Sequence, residues 1–364
     1  MPSLTNPFIR PLLLILVLGI PWISCTQKSE GNGMIKGVYG HPKPLWEQGY
    51  TLNELGVNAV FLHSGSLSPE MVYRAKSEGA QIFAEFAVLN GKYYVEKHPE
   101  AWAINEQGEK VEAATWFMGV CPTDPGFREH RIRALRELLA QYPQLDGVWM
   151  DYVHWHAQFE DPEPILPETC FSESCIQGFS KDSGILVPEG TTSQKATWIL
   201  ENQEQAWRDW RCQVLASWAR EIKDVLEETK PGALLGLYHC PWTDGEFNNA
   251  RKRILGLDYH LLKNTVDVFS PMVYHQRMGR SPEWVGENIA WLGRELKVES
   301  GSTPKIWPIV QAHNSPDKVT SSAFKKVLKD GLSGPSTGVM MFTTNAIAED
   351  KAKIQVMQDV YSGH

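Results

Sequence analysis

Leu145-Asp146-Gly147-Val148-Trp149-Met150-Asp151-Tyr152-Val153 is the stretch on which the fold turns. Its middle is a continuous apolar run with a carboxylate at either end. A strand buried on both faces reads this way, because a parallel sheet covered by helices leaves no face for water. Side-chain alternation puts Asp151 on the same side as Trp149. Asp146 reads as a cap for the entry turn. Asp151, closing the run at its C-terminal end, is costly there unless its charge or its proton is used.

Runs of the same kind recur on both sides of this one. Strands are expected at Met34–Tyr39, Ala59–His63, Gln81–Val88, Gly147–Val153, Leu234–His239, Val266–Tyr274, Lys305–Gln311 and Gly338–Thr343. Helical periodicity fills the gaps at Trp46–Leu55, Pro69–Glu78, Arg128–Tyr142, Gln194–Thr229, Asn248–Lys263, Pro282–Leu296, Asp317–Lys329 and Asp350–Tyr361. Strict alternation implies parallel strands joined by right-handed crossovers, and eight such units close a barrel. The expected fold is therefore α/β, a single (β/α)8 TIM barrel over residues 34–364, with a doubly wound sheet as the alternative. Gly56, Gly79 and Gly331 fall where helices should end, and Ser68-Pro69 and Ser281-Pro282 where they should begin. Long loops follow strands three (Asn90 to Phe127, carrying Trp102, Trp116 and Phe117) and four (His154 to Thr192). Both belong to the C-terminal mouth of a barrel, where active sites are built.

The 364 residues are 42% hydrophobic and 21% charged, a globular balance, and the net charge of −8 argues against a nucleic-acid partner. Residues 1–25 read as a signal peptide: Pro11 to Ile23 is apolar and too short to span a membrane comfortably. Ile23-Ser24-Cys25, followed by a polar tether over 26–33, resembles a bacterial lipoprotein cleavage site with Cys25 lipidated. An ordinary cleaved signal is the alternative. Either way the chain is expected in the cell envelope or beyond. Of the other cysteines, Cys170 and Cys175 are the two close in sequence, and an exported chain permits a disulfide between them.

Asp-Gly-x-x-x-Asp-Tyr on a fourth strand resembles the signature of bacterial glycoside-hydrolase-like TIM-barrel lipoproteins, in which that strand bears a catalytic Asp. Ser270-Pro271-Met272-Val273-Tyr274, Trp307-Pro308-Ile309-Val310-Gln311 and Gly338-Val339-Met340-Met341-Phe342 resemble their sixth, seventh and eighth strands. Cys170-x4-Cys175-x3-Phe179 resembles a cysteine-bearing loop found after the catalytic strand in some of them. The resemblance implies a barrel that hydrolyses glycosidic bonds, without a cofactor, on a carbohydrate substrate.

Such hydrolysis needs two carboxyl groups. Asp151 is the candidate nucleophile or base. Glu85, inside the hydrophobic third strand, is the provisional acid, since desolvation should keep it protonated. Glu160, Asp244 and Glu246 are alternative acids on loops. His154, Trp155, His156, His239, Trp242, Tyr274, His275 and Gln311 cluster at strand ends and are candidates for stacking on, or hydrogen bonding to, a hydroxyl-rich ligand. Two other readings remain open. One is a non-catalytic carbohydrate-binding lipoprotein. The other is a metal-dependent hydrolase built on the mouth histidines, although no catalytic metal is expected. Trp207, Trp210 and Trp218 share one helical face and read as core.

Overall fold

The computed structural model describes Met1 and residues 33–114, 117–298 and 303–363. The leader, Cys25, the tether up to residue 32 and Trp116 lie outside the described residues. Eight strand positions form a closed parallel barrel. They are β1 (Ile35–Tyr39), β2 (Ala59–His63), β3 (Gln81–Ala87), β4 (Gly147–Asp151), β5 (Leu234–His239), β6 (Val268–Val273), a split seventh position made of β7 (Lys305–Ile306) and β8 (Ile309–Gln311), and β9 (Gly338–Phe342). Each pairs in parallel with its neighbours, and pairings of β5 with β6 and of β1 with β9 complete the ring. The seventh strand divides at Pro308, which has no N–H to give to the ladder. Strands and barrel thus follow the expectation from sequence.

The helices depart from it in instructive places. Trp46–Leu55 is not a helix: one turn, Lys43–Trp46, is capped at Glu47, and Gly49 beyond it, at φ +88°, leaves the helical region. Gln194–Thr229 divides at Gln203 into Thr192–Asn202 and Glu204–Thr229. Asn248–Lys263 holds only two single turns, Ala250–Arg253 and Tyr259–Leu262. The second insertion contains an unforeseen helix, Glu173–Ser183, capped by Ser172. The Ser68-Pro69 start is as expected, with the Ser68 hydroxyl accepting from the Met71 N–H at 3.2 Å. After Ser281-Pro282 the helix begins two residues later, at Trp284. Gly331 ends its helix inside it, and its lack of a side chain admits Val339 of β9, which a Cβ would approach to 2.6 Å.

Asp146 does anchor an entry, though across strands: its carboxylate accepts from the Ile82 N–H at 2.6 Å and pairs with Lys76. Asp267 repeats the device for β5, accepting from the Leu235 N–H at 2.7 Å and pairing with Lys223 at 2.8 Å. Trp207, Trp210 and Trp218 are buried as read: Trp207 and Trp210 pack on Phe171 and Phe179 of the second insertion, and Trp218 on Phe127. The two long insertions fold onto each other. Phe171 N–H donates to the Ile104 carbonyl at 2.9 Å, and Gly119 N–H donates to His156 Nδ1 at 3.1 Å.

Candidate active site

The interior of the barrel is layered. Phe61, Phe83, Trp149 and Trp307 plug its middle, with Phe61 and Phe83 4.8 Å apart and Trp149 stacked on Trp307 at 5.5 Å. Gly236 makes room for this plug, since a Cβ there would lie 2.0 Å from the Trp149 ring. Trp149 Nε1–H donates to the Ser270 hydroxyl at 3.0 Å. Two residues further along each strand the side chains face inward again, one layer nearer the mouth. That step carries Gly37 to Tyr39, Phe61 to His63, Phe83 to Glu85, Trp149 to Asp151, Gly236 to Tyr238, Ser270 to Met272 and Met340 to Phe342. The layer that bears Glu85 and Asp151 sits on an aromatic floor.

Above the floor lies a cavity with about 700 Å³ of empty space including its open mouth, within the usual range for a ligand site. Tyr39, Glu85, Asp151, Glu160, Tyr238 and Tyr274 are among its walls. A side lobe shares Asp151, Tyr152, Glu160 and Met272 and adds Phe117, His154 and Phe159. Glu85 pairs in register with Trp149, two residues before Asp151. At ~3.3 Å rise per residue and ~4.8 Å between strands, their Cα atoms are about 8 Å apart. Tyr152 follows in the left-handed region at φ +55°, and its N–H donates to Asp151 Oδ1 at 2.8 Å. A bulky residue rarely adopts this turn, and here it fixes the carboxyl at the cavity wall.

Electrostatics separate the carboxyls. Burial lifts Asp151 well above the ordinary carboxylate range, and the charge of Glu85 lifts it further. Burial also raises Glu85, but the Tyr39 hydroxyl donates to Glu85 Oε2 and favours its charged form. Both carboxyls are thus pushed toward their protonated forms, and the Tyr39 hydroxyl opposes that shift at Glu85 alone. Glu160 is also raised by burial, against the pull of Arg277, whose Nη1 lies 3.1 Å away. Burial holds His154 neutral, down to about 4.

Of the expected residues, Asp151, Glu85, Glu160, His154 and Tyr274 meet at the cavity. Others lie elsewhere. Trp155 is fully buried, with its Nε1–H donating to the Arg211 carbonyl at 3.2 Å and the Arg211 guanidinium over its ring. His156 braces the insertions through Gly119 and stacks on Phe117. His239 faces outward onto Tyr259, because Gly236 and Tyr238 take the inward parity of β5. Trp242 packs on Phe159 and Phe247. His275 is buried away from the cavity lining. Gln311 Oε1 accepts from the N–H groups of Gln276 and Arg277 at 3.1 and 3.0 Å, so it positions the Arg277 loop instead of touching ligand. Asp244 pairs with Arg251, and Glu246 with Arg280, both outside the cavity. This scatter dissolves the imidazole metal site. The residues missed by sequence reasoning are Tyr39, Tyr238, Arg277 and Phe342. For all but Arg277, counting twos from the aromatic floor would have found them.

Cys170 and Cys175 are free thiols and meet a third, Cys121, all fully buried, with ligand atoms within 4.8 Å of one another. The first insertion supplies Cys121, and the second supplies the others. Among the described residues this is the one group of three or more His, Cys, Asp or Glu that could hold a metal ion, and its thiols would suit a soft one. It is separate from the carboxyl cavity.

No family model matches the sequence, and no curated protein does. Solved structures do match in fold. One is a β-galactosidase from the psychrophilic Marinomonas ef1, at TM-score 0.65 and 12% identity, covering 90% of this chain and 59% of that one. Another is the PgaB (BpsB) glycoside hydrolase domain from Bordetella bronchiseptica, at TM-score 0.63 and 12% identity, covering 88% and 92%. A third is the β-amylase catalytic domain from Paenibacillus polymyxa, at TM-score 0.58 and 10% identity, covering 87% and 94%. The chain spans about three-fifths of that β-galactosidase. At these identities the likeness is one of fold, and the fold is a TIM barrel of the kind glycoside hydrolases use.

Proposed function

We propose that this protein is an exported glycoside hydrolase that cleaves a poly- or oligosaccharide with the carboxyl pair Asp151 and Glu85. The observation that carries the reading is that pair: two carboxyls on one cavity, both raised by burial, with a hydroxyl donor favouring the charged form at Glu85 alone. Asp151 protonates the leaving glycosidic oxygen. Glu85, whose charged form the Tyr39 hydroxyl favours, attacks the anomeric carbon or takes a proton from the water that does, and its charge stabilises the oxocarbenium-like transition state. Tyr238, Tyr274, Phe117 and Phe342 offer ring faces to the apolar faces of the sugar. The glycoside hydrolases among the structural neighbours raise the prior for this chemistry by analogy of fold. A lipid anchor at Cys25 in the bacterial envelope is part of the same proposal and rests on the apolar run before it. The test is release of new reducing ends from a panel of polysaccharides and aryl glycosides. The reading expects release from at least one, abolished by Glu85→Gln. Binding of a glycan with no release from any would favour the carbohydrate-binding alternative.

A further inference from the structure

A second groove leaves the mouth over the ends of β2 and β3. It shares Ala114 and Phe117 with the side lobe of the cavity, and its own walls include His63, Lys92, Tyr93, His130 and Arg131. It continues through Tyr93, Tyr94 and His130 into a shallower stretch with Lys97, His98 and Arg133. The two stretches enclose about 1150 and 760 Å³ of empty space including open solvent, and they run on from one another through shared walls, which suits an extended chain better than one sugar ring. Their walls hold no Asp or Glu among the described residues, in a protein of net charge −8. The central cavity, by contrast, is walled by Glu85, Asp151 and Glu160.

Arg131 is the telling residue. It stands on the helix Pro125–Gln141, lies across the Phe86 ring at 4.2 Å and donates from Nη2 to the Ala87 carbonyl at 2.6 Å. Ala87 is the residue that pairs in register with Asp151. Arg131 Nε is buried without a hydrogen-bond partner, and no carboxylate pairs with the guanidinium among the described residues. Burial alone draws its pKa down, to about 10. Buried guanidinium groups are ordinarily paired with an anion, since leaving one alone is costly. Lys92 and Lys97 are exposed and, among the described residues, also lack an acidic partner, whereas Arg133 and His98 have Glu129 and Glu100 beside them at 3.7 and 3.3 Å.

We propose that this groove is an anion subsite, in which Arg131, with Lys92 and Lys97, receives the acidic substituent of a glycan chain that continues into the cavity at Asp151. The guanidinium takes a carboxylate or a sulfate through paired N–H groups, and Tyr93, 79% exposed, offers a ring face to the adjoining sugar. The substrate class is therefore an acidic polysaccharide. This rests on the glycan reading of the mouth, but not on its turning over.

The test is affinity electrophoresis of the full chain in gels containing polygalacturonate, a sulfated galactan or a neutral galactan. At least one acidic polymer is expected to retard the protein at a concentration about tenfold lower than the neutral one, with the effect weakening as salt rises. Which acidic polymer does so identifies the substituent. Arg131→Met should reduce that retardation about tenfold. If Arg131→Met lowers Tm, the exposed double variant Lys92→Ala, Lys97→Ala decides, with a loss of about fivefold expected. Equal retardation by neutral and acidic polymers, no retardation by either acidic one, or an unchanged double variant overturns the proposal. Charge-selective retardation without any bond cleavage would leave the anion subsite standing and remove the hydrolase reading. Cleavage of neutral glycans without charge preference would do the reverse.

Discussion

Asp151 owes its proton to two neighbours: the low-dielectric wall behind it and the charge of Glu85. A carboxyl whose folded pKa lies above its unfolded value stabilises the fold at pH below the unfolded value, and that stabilisation is lost as pH rises through the folded one. Asp151→Asn should therefore raise Tm near pH 7 by about 2 °C or more, and the gain should vanish in calorimetry near pH 3. Tyr39→Phe removes the donor that favours ionised Glu85. The acidic limb of the kcat/KM profile should then move to higher pH, with the rate at its optimum falling about 10- to 100-fold; an unmoved limb would show that Tyr39 does not tune Glu85. Asp151 and Glu85 were legible in the sequence because each is a lone acid in an apolar strand. Their relative proton affinities were not, since Tyr39 reaches Glu85 from a strand 46 residues away.

The elements around the site divide into those that carry it and those that aim it. The strands were readable to within about two residues from unbroken apolar runs, apart from the break at Pro308. The strand-end histidines misled because an imidazole one place past an inward position points outward, as His239 does beside Tyr238. The pairing of the two insertions through Gly119, His156 and Cys121 was beyond local reading, since it depends on contacts between loops. Gln311 aims the Arg277 loop by accepting two backbone N–H groups. Gln311→Ala should leave those donors unsatisfied and raise KM several-fold, about 3- to 10-fold, with a smaller change in kcat. A matching loss in kcat would instead place Gln311 at the reacting bond. Gly236→Ala should drive a methyl into the Trp149 ring and cost about 1–3 kcal/mol in urea unfolding.

At the scale of the whole molecule, an aromatic plug closes the barrel below and leaves the candidate site open above, at the C-terminal mouth. Among the described residues no helix is long and apolar enough to cross a membrane; the proposed lipid on Cys25 has its own test. Metabolic labelling with palmitate in a bacterial host should mark the full chain and be lost in Cys25→Ala; label persisting in that variant would refute the anchor. The barrel was legible as a count of eight alternating units, whereas the acid-free groove over β2 and β3 was not, because its walls come from segments that only the folded barrel brings side by side. The central claim is that Asp151 supplies the proton for bond cleavage, and its most direct measurement compares binding and turnover in Asp151→Asn on one responsive glycan. The account predicts a Kd within about threefold of the unaltered protein and a kcat lower by about 10³ or more. Turnover at the unaltered rate in that variant would contradict it.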